Sequence, residues 1–148
     1  MQELFELIAD RMKKEGVDTQ IDNSDGDIIL RIIPDSIGPD EDGVVITEIC
    51  KVPFENDEYG YFQIYTTIAK DVEKEVYPRA LVKLNEMNLS SLIGFYGILS
   101  DYGMVYHKYI AKIREAAPAK MADELFDLIC DVFAGIDNDY VEVFGAIK

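Results

Sequence analysis

Two acidic, glycine-bearing runs have the composition of calcium loops. In Asp22-Asn23-Ser24-Asp25-Gly26-Asp27, placing Gly26 at the sixth position of an EF-hand loop puts Asn23 and Asp25 at ligand positions. The same register puts Ile21 first and Ile32 twelfth, where a bidentate glutamate is required. In Pro39-Asp40-Glu41-Asp42-Gly43, Gly43 at the sixth position puts Gly38 first and Ile49 twelfth. Both runs read as turns, because Asp, Asn and Gly are also the ordinary turn residues. Asp123, Asp127 and Asp131 recur at helical spacing and make one carboxylate stripe. Helical metal sites add histidine to such a stripe, and none stands nearby. It reads as a solvated face, or as one that meets basic side chains of a partner. His107, the one histidine, lies in the strand-like run Met-Val-Tyr-His-Lys-Tyr-Ile. No nucleophile or orienting carboxylate can be assigned to it from spacing, so it reads as structural. P-loop, HExxH and GxSxG motifs do not occur. The chain is expected to be non-enzymatic, with no cofactor and no metal.

The tyrosines are the more informative residues. Strand alternation over 59–69 puts Tyr59, Tyr61, Gln63, Tyr65 and Thr67 on one face and Phe62, Ile64 and Ile68 on the other. The second set is core. The first is amphipathic, since a tyrosine buries its ring while keeping a hydroxyl available, which suits interfaces. Tyr96 and Tyr106 are expected to extend this face from a second hairpin. The face reads equally as a protein interface or as a sheet surface partly covered by a loop or helix.

These residues need elements to hold them. Leu4, Phe5, Ile8 and Met12 recur with helical period over 1–15, and Gly16 follows as the stop. Strands are predicted over 27–33, 44–52 and 59–69, separated by the turn-rich runs 34–43 and 53–58. A helix is predicted over 78–87, beginning as early as Val72, with Leu81, Leu84 and Met87 inward and Pro78 in its first turn. Strands 93–99 and 104–113 form a hairpin through Ser100-Asp101-Tyr102-Gly103. Helical period returns over 118–147, where Gly135 and Asp137-Asn138-Asp139 invite a kink or a break. The order α-β-β-β-α-β-β-α, with strands grouped as hairpins, argues for an α+β fold: a twisted antiparallel sheet of about five strands packed by helices, in one domain over 1–148.

The chain carries 14 basic and 29 acidic residues, a net charge of −15. The excess is uneven: residues 1–60 hold −11, 61–120 hold +2 and 121–148 hold −6. Such a field repels phosphate backbones and anionic lipid, which argues against nucleic acid and membrane surfaces as partners and would attract basic peptides. Cys50 and Cys130 fit no metal or redox spacing and are expected as small buried hydrophobes in a strand and a helix. Residues 1–16 lack the apolar run of a signal peptide, and no run approaches the ~18 apolar residues of a membrane span, so the expected location is cytoplasmic.

The stretch from Lys83 to Ile113 resembles the YbjN-like family of bacterial proteins. The resemblance lies in Leu84, Asn85 and Asn88 at the end of a helix, then Gly94 and Phe95 opening a strand, then Gly103 in the following turn. It implies the fold shared with type III secretion chaperones: a twisted antiparallel sheet, helices packed against it and frequent homodimers. By that analogy the protein would be an adaptor- or chaperone-like module that binds a protein partner or an extended peptide segment. It offers no catalytic residue. The alternative is a small-molecule-binding protein or an enzyme whose site no motif marks.

Overall fold

The structure is a computed structural model that describes residues 1–35, 37 and 45–148. The second acidic run, 39–43, and the expected strand start at Val44 lie outside the described residues. Helix α1 (Gln2–Lys14) leads into strands β1 (Asp18–Asp22), β2 (Ile29–Ile33), β3 (Ile46–Lys51) and β4 (Tyr59–Ala69). Helix α2 (Tyr77–Ser90) follows a short 3-10 turn. Strands β5 (Phe95–Leu99) and β6 (Met104–Arg114) and helix α3 (Pro118–Ile147) complete the chain. The mixed α+β class with an antiparallel sheet is as expected from the sequence.

All six strands join one sheet in the order β1-β2-β3-β4-β6-β5, every pairing antiparallel. That is one strand more than the expected five. The additional strand is β1, whose sequence Asp-Thr-Gln-Ile-Asp contains a single large apolar residue and so shows no usable periodicity. Its hairpin with β2 is closed by the first acidic run. Asp22 accepts hydrogen bonds from the Ser24 backbone N–H (3.0 Å) and hydroxyl (2.7 Å), and from Arg31 (2.9 Å). These donors hold the Asp22 carboxyl down to about 2, the Ser24 bonds contributing most.

The three helices lie on one face of the sheet. Leu30, Ile32, Ile49, Phe62, Ile64, Val105 and Ile113 point toward them and are fully buried. A buried hydroxyl pair, Thr47 Oγ1 with Thr66 Oγ1 at 2.8 Å, satisfies the two polar atoms that β3 and β4 carry into this layer. From α1 come Leu4, Phe5, Ile8 and Met12, as the helical spacing predicts, and Gly16 takes a positive φ of 77° just beyond the helix end.

Helix α3 runs unbroken over 30 residues. The helix does not break at Gly135, where Leu125, Ile129, Val132, Ile136 and Val143 keep one buried stripe through it. Burying such side chains stabilises by ~1.5–3 kcal/mol each, against ~1 kcal/mol for a helical glycine.

Three smaller expectations are corrected by which residues face inward. Helix α2 buries Ala80, Leu84 and Met87, a stripe that leaves Leu81 48% exposed. In β3 the inward place belongs to Ile49, so Cys50 is only half-buried and faces away from the helices. In α3 Ile129 faces inward and leaves Cys130 exposed.

Candidate functional site

Register decides which tyrosines share a face. Tyr65 sits opposite Glu48 on one side and Lys108 on the other, and Lys108 sits opposite Phe95. Thr67 pairs with Tyr106, Tyr61 with Lys112 and Tyr59 with Arg114. Tyr59, Tyr61, Tyr65 and Tyr106 therefore lie together on the face turned away from the helices. Among the described residues no element covers this face, and the outward positions of β4 are all partly accessible.

The aromatic rings there are packed on one another. Tyr65 stacks on Tyr106 with centroids 5.1 Å apart and planes 19° from parallel, and Phe95 meets Tyr106 edge-on at 6.3 Å. Phe54 meets Tyr61 edge-on at 5.1 Å. Phe54 and Phe95 remain 58% and 43% exposed. Tyr59 carries the Lys112 ammonium 4.0 Å from its ring centroid and accepts a hydrogen bond from Arg114 at 2.9 Å. The Tyr65 hydroxyl is buried without a partner among the described residues, and burial raises its pKa.

Charge divides the face. Over β1–β3 it presents Asp18, Asp22 and Glu48, with Arg31 bridging Asp22 (2.9 Å) and Glu48 (2.8 Å). Along β6 it presents Lys108, Lys112 and Arg114. The cations of β6 thus flank the tyrosines of a strongly acidic chain, a feature that composition alone conceals.

Tyr96 is the exception among the expected face residues. It pairs with His107, not with the open face, and is 4% exposed beneath the helices. The strand Phe-Tyr-Gly-Ile-Leu is apolar at nearly every position, so its alternation does not reveal which parity faces the core. Tyr96 donates its hydroxyl proton to Asp139 Oδ2 on α3 at 2.8 Å. Burial, reinforced by that carboxylate, moves the Tyr96 pKa strongly upward and keeps the phenol protonated.

His107 stands edge-on to Tyr96 with ring centroids 4.9 Å apart and is 3% exposed. Its Nε2 lies 2.9 Å from the Ile93 carbonyl oxygen. A carbonyl can only accept, so Nε2 carries the hydrogen, and in the neutral ring Nδ1 is a bare acceptor. Nδ1 is buried without a partner among the described residues. Burial holds the ring's pKa below its ordinary value, against the opposing pull of the Ile93 carbonyl and Asp139. Gly94, at φ 72°, lies against this ring: a Cβ there would come within 2.5 Å of His107 Cε1.

His107, Tyr96 and Asp139 line a half-open cavity of about 650 Å³ between α2, the 91–93 segment and α3. Four carboxylates, Glu86, Asp131, Asp139 and Glu142, line it, against one ammonium, Lys83, which pairs with Glu142 at 3.0 Å. The hydroxyls of Ser90 and Ser91 donate to main-chain carbonyls of Met87, Ile93 and Gly94. Neither hydroxyl is hydrogen-bonded to a side-chain base among the described residues. Asp139, the carboxylate that ties this group together, looks in the sequence like part of a helix-breaking cluster.

Among the described residues no group of three or more His, Cys, Asp or Glu is arranged to hold a metal ion. No helix among them is long and apolar enough to cross a membrane. No family model, curated protein or solved structure matches the chain significantly.

Proposed function

We propose that this protein is a non-enzymatic protein-binding module, adaptor- or chaperone-like, that holds a partner against the open face of its sheet. The observation that carries the reading is the face bearing Tyr59, Tyr61, Tyr65 and Tyr106, which no element among the described residues covers and from which Phe54 and Phe95 stand out. Clustered aromatic rings left on a surface lower the free energy when a partner removes them from water, and tyrosines do so without making the free protein insoluble. Six strands at ~4.8 Å spacing make a footprint on the order of 600 Å², somewhat below the ~800 Å² per partner of a standard stable pair, which suits a reversible partnership. A segment that fits carries cations over Asp18, Asp22 and Glu48 and carboxylates over the β6 cations. The −15 net charge favours basic protein segments in the approach and disfavours nucleic acid and anionic membrane. The resemblance to YbjN-like proteins, with the type III secretion chaperone-like fold and homodimers it implies, supports the same reading.

The test is the double variant Tyr61→Ser, Tyr65→Ser. It is expected to keep the circular dichroism and cooperative unfolding of the wild type while weakening partner capture or dimerisation by at least ~tenfold, about 1.4 kcal/mol. Normal capture and normal dimerisation in sedimentation experiments would show that this face is not the interface. The cavity at His107 favours a second reading, a small-molecule site on the opposite side of the sheet.

A further inference from the structure

Resting on the reading of the open sheet face as a protein interface, we infer that its occupant is a second copy of this chain. The second copy is turned over about a twofold axis along β4, so that β3 of each copy lies over β6 of the other. Strand parity gives this face a composition that a solvated face lacks. Ile29 and Ile33 of β2, Ile46 and Cys50 of β3, and Met104 and Ile110 of β6 point outward beside the tyrosines, and none of the six is fully buried. An antiparallel sheet with one face in water ordinarily alternates apolar inward with polar outward. Here both parities of β2 and β3 carry isoleucine, as in a sheet packed on both sides.

Register selects the occupant. Three rows cross β3, β4 and β6 on this face: Ile46, Thr67 and Tyr106; Glu48, Tyr65 and Lys108; Cys50, Gln63 and Ile110. In each row the β3 end complements the β6 end: isoleucine and a tyrosine ring, carboxylate and ammonium, thiol and isoleucine. Turning a second copy over about β4 exchanges those ends. Glu48 of each copy then lies over Lys108 of the other, Ile46 over Tyr106 and Cys50 over Ile110, while Tyr65 lies beside its own counterpart. A twofold contact requires such a self-complementary patch. An axis across the strands would instead set the cations of the two β6 strands against one another, which like charge disfavours. The strands of this face are close to neutral, with Asp18, Asp22 and Glu48 against Arg31, Lys108, Lys112 and Arg114. The −15 charge of the chain therefore lies mostly elsewhere, and at ~0.15 M salt its repulsion is screened beyond ~8 Å. Two footprints on the order of 600 Å² bury about 1,200 Å² in all, the lower end for specific interfaces, which fits a reversible dimer.

The experiment is sedimentation equilibrium of the purified full chain from ~10 to ~300 µM at ~0.15 M sodium chloride, where a monomer–dimer equilibrium is expected. Lys108→Glu and Glu48→Lys should each weaken the dimer at least ~tenfold. An equimolar mixture of the two variants should restore it, because each copy then brings the charge that the other lacks. Ile110→Glu, at a position 39% exposed, should also weaken it and covers the case in which a charge reversal does not fold. Leu89→Glu on α2, 84% exposed and away from this face, should leave it unaltered. A chain that stays monomeric at ~300 µM overturns the inference. So do two folded charge variants that fail to recover on mixing, or a dimer lost with Leu89→Glu and kept with Lys108→Glu. A monomer that captures a different protein, lost in Tyr61→Ser, Tyr65→Ser, overturns the second copy as occupant and leaves the face as the interface. A dimer that survives Lys108→Glu, Ile110→Glu and the tyrosine pair overturns both.

Discussion

His107 is neutral because of where it is buried. The ring gives up its hydration, donates one hydrogen bond to Ile93 and has no acceptor for a second proton among the described residues, so protonation is disfavoured in the folded state. In the unfolded chain it takes a proton near its ordinary value of about 6.5. The unfolded state therefore binds more protons as pH falls through that value, and stability falls with it until the lowered folded-state pKa is passed. Denaturant midpoints should decrease between about pH 7.5 and 5.5, and His107→Gln, although less stable overall, should flatten that slope. Asp22, held at about 2, loses its contribution as pH falls from about 5 to 2 and does not overlap this window. An unchanged slope in the variant would assign the pH dependence to other groups. A histidine next to Tyr106 in the sequence reads simply as a strand residue; that its Nδ1 has no partner among the described residues is visible only once β5, the 91–94 segment and α3 are assembled around it.

At the scale of elements, β5 is the exposed margin of the sheet next to the aromatic face. Asn88, near the end of α2, pairs with it as a neighbouring strand would. Its side-chain N–H donates to the Tyr96 carbonyl at 2.9 Å, and its side-chain oxygen accepts from the Tyr96 N–H at 2.7 Å. This closes part of an edge that would otherwise offer free main-chain groups to another strand. Asn88→Ala should cost ~1–2 kcal/mol, the value of two partly buried hydrogen bonds. It should also accelerate hydrogen exchange at the Tyr96 amide and promote concentration-dependent association through β5. Wild-type exchange in the variant would show that the edge is protected by other means. The helices and the long strand β4 were legible from period and turn chemistry because they each carry a full apolar stripe or alternation. β1 was not, because it reaches the sheet through pairing with β2 and contributes one substantial apolar side chain, Ile21.

Across the whole molecule, charge opposes compaction. Twenty-nine carboxylates face 14 cations, and five ion pairs join described side chains. The remaining negative charge repels itself over a distance that shrinks with salt, from ~30 Å at 0.01 M to ~10 Å at 0.1 M. Raising sodium chloride from about 0.01 M to 0.1 M should therefore stabilise the fold by about 1 kcal/mol, a rise in Tm of ~3 °C in a scanning experiment. A flat or falling Tm would mean that local pairs, which salt weakens, outweigh the long-range repulsion. The same charge is partitioned by the fold: cations of β6 lie beside the tyrosines, while Asp131, Asp139 and Glu142 of α3 converge on the cavity. A net value read from composition contains neither arrangement.

The α+β class, most element positions and the shared face of Tyr59, Tyr61 and Tyr65 were determined by the sequence alone, since each follows from interactions within a few residues: period, turn chemistry and strand parity. Tertiary structure decided the rest. Parity is internal to each strand, so only the β5–β6 register could send Tyr96 to the helix side while Tyr106 stays on the open face. Asp139 and His107 are separated by 32 residues along the chain, and a site built from both exists only where α3 crosses the sheet. Local preference places residues on faces; the packing of one element on another determines which faces meet.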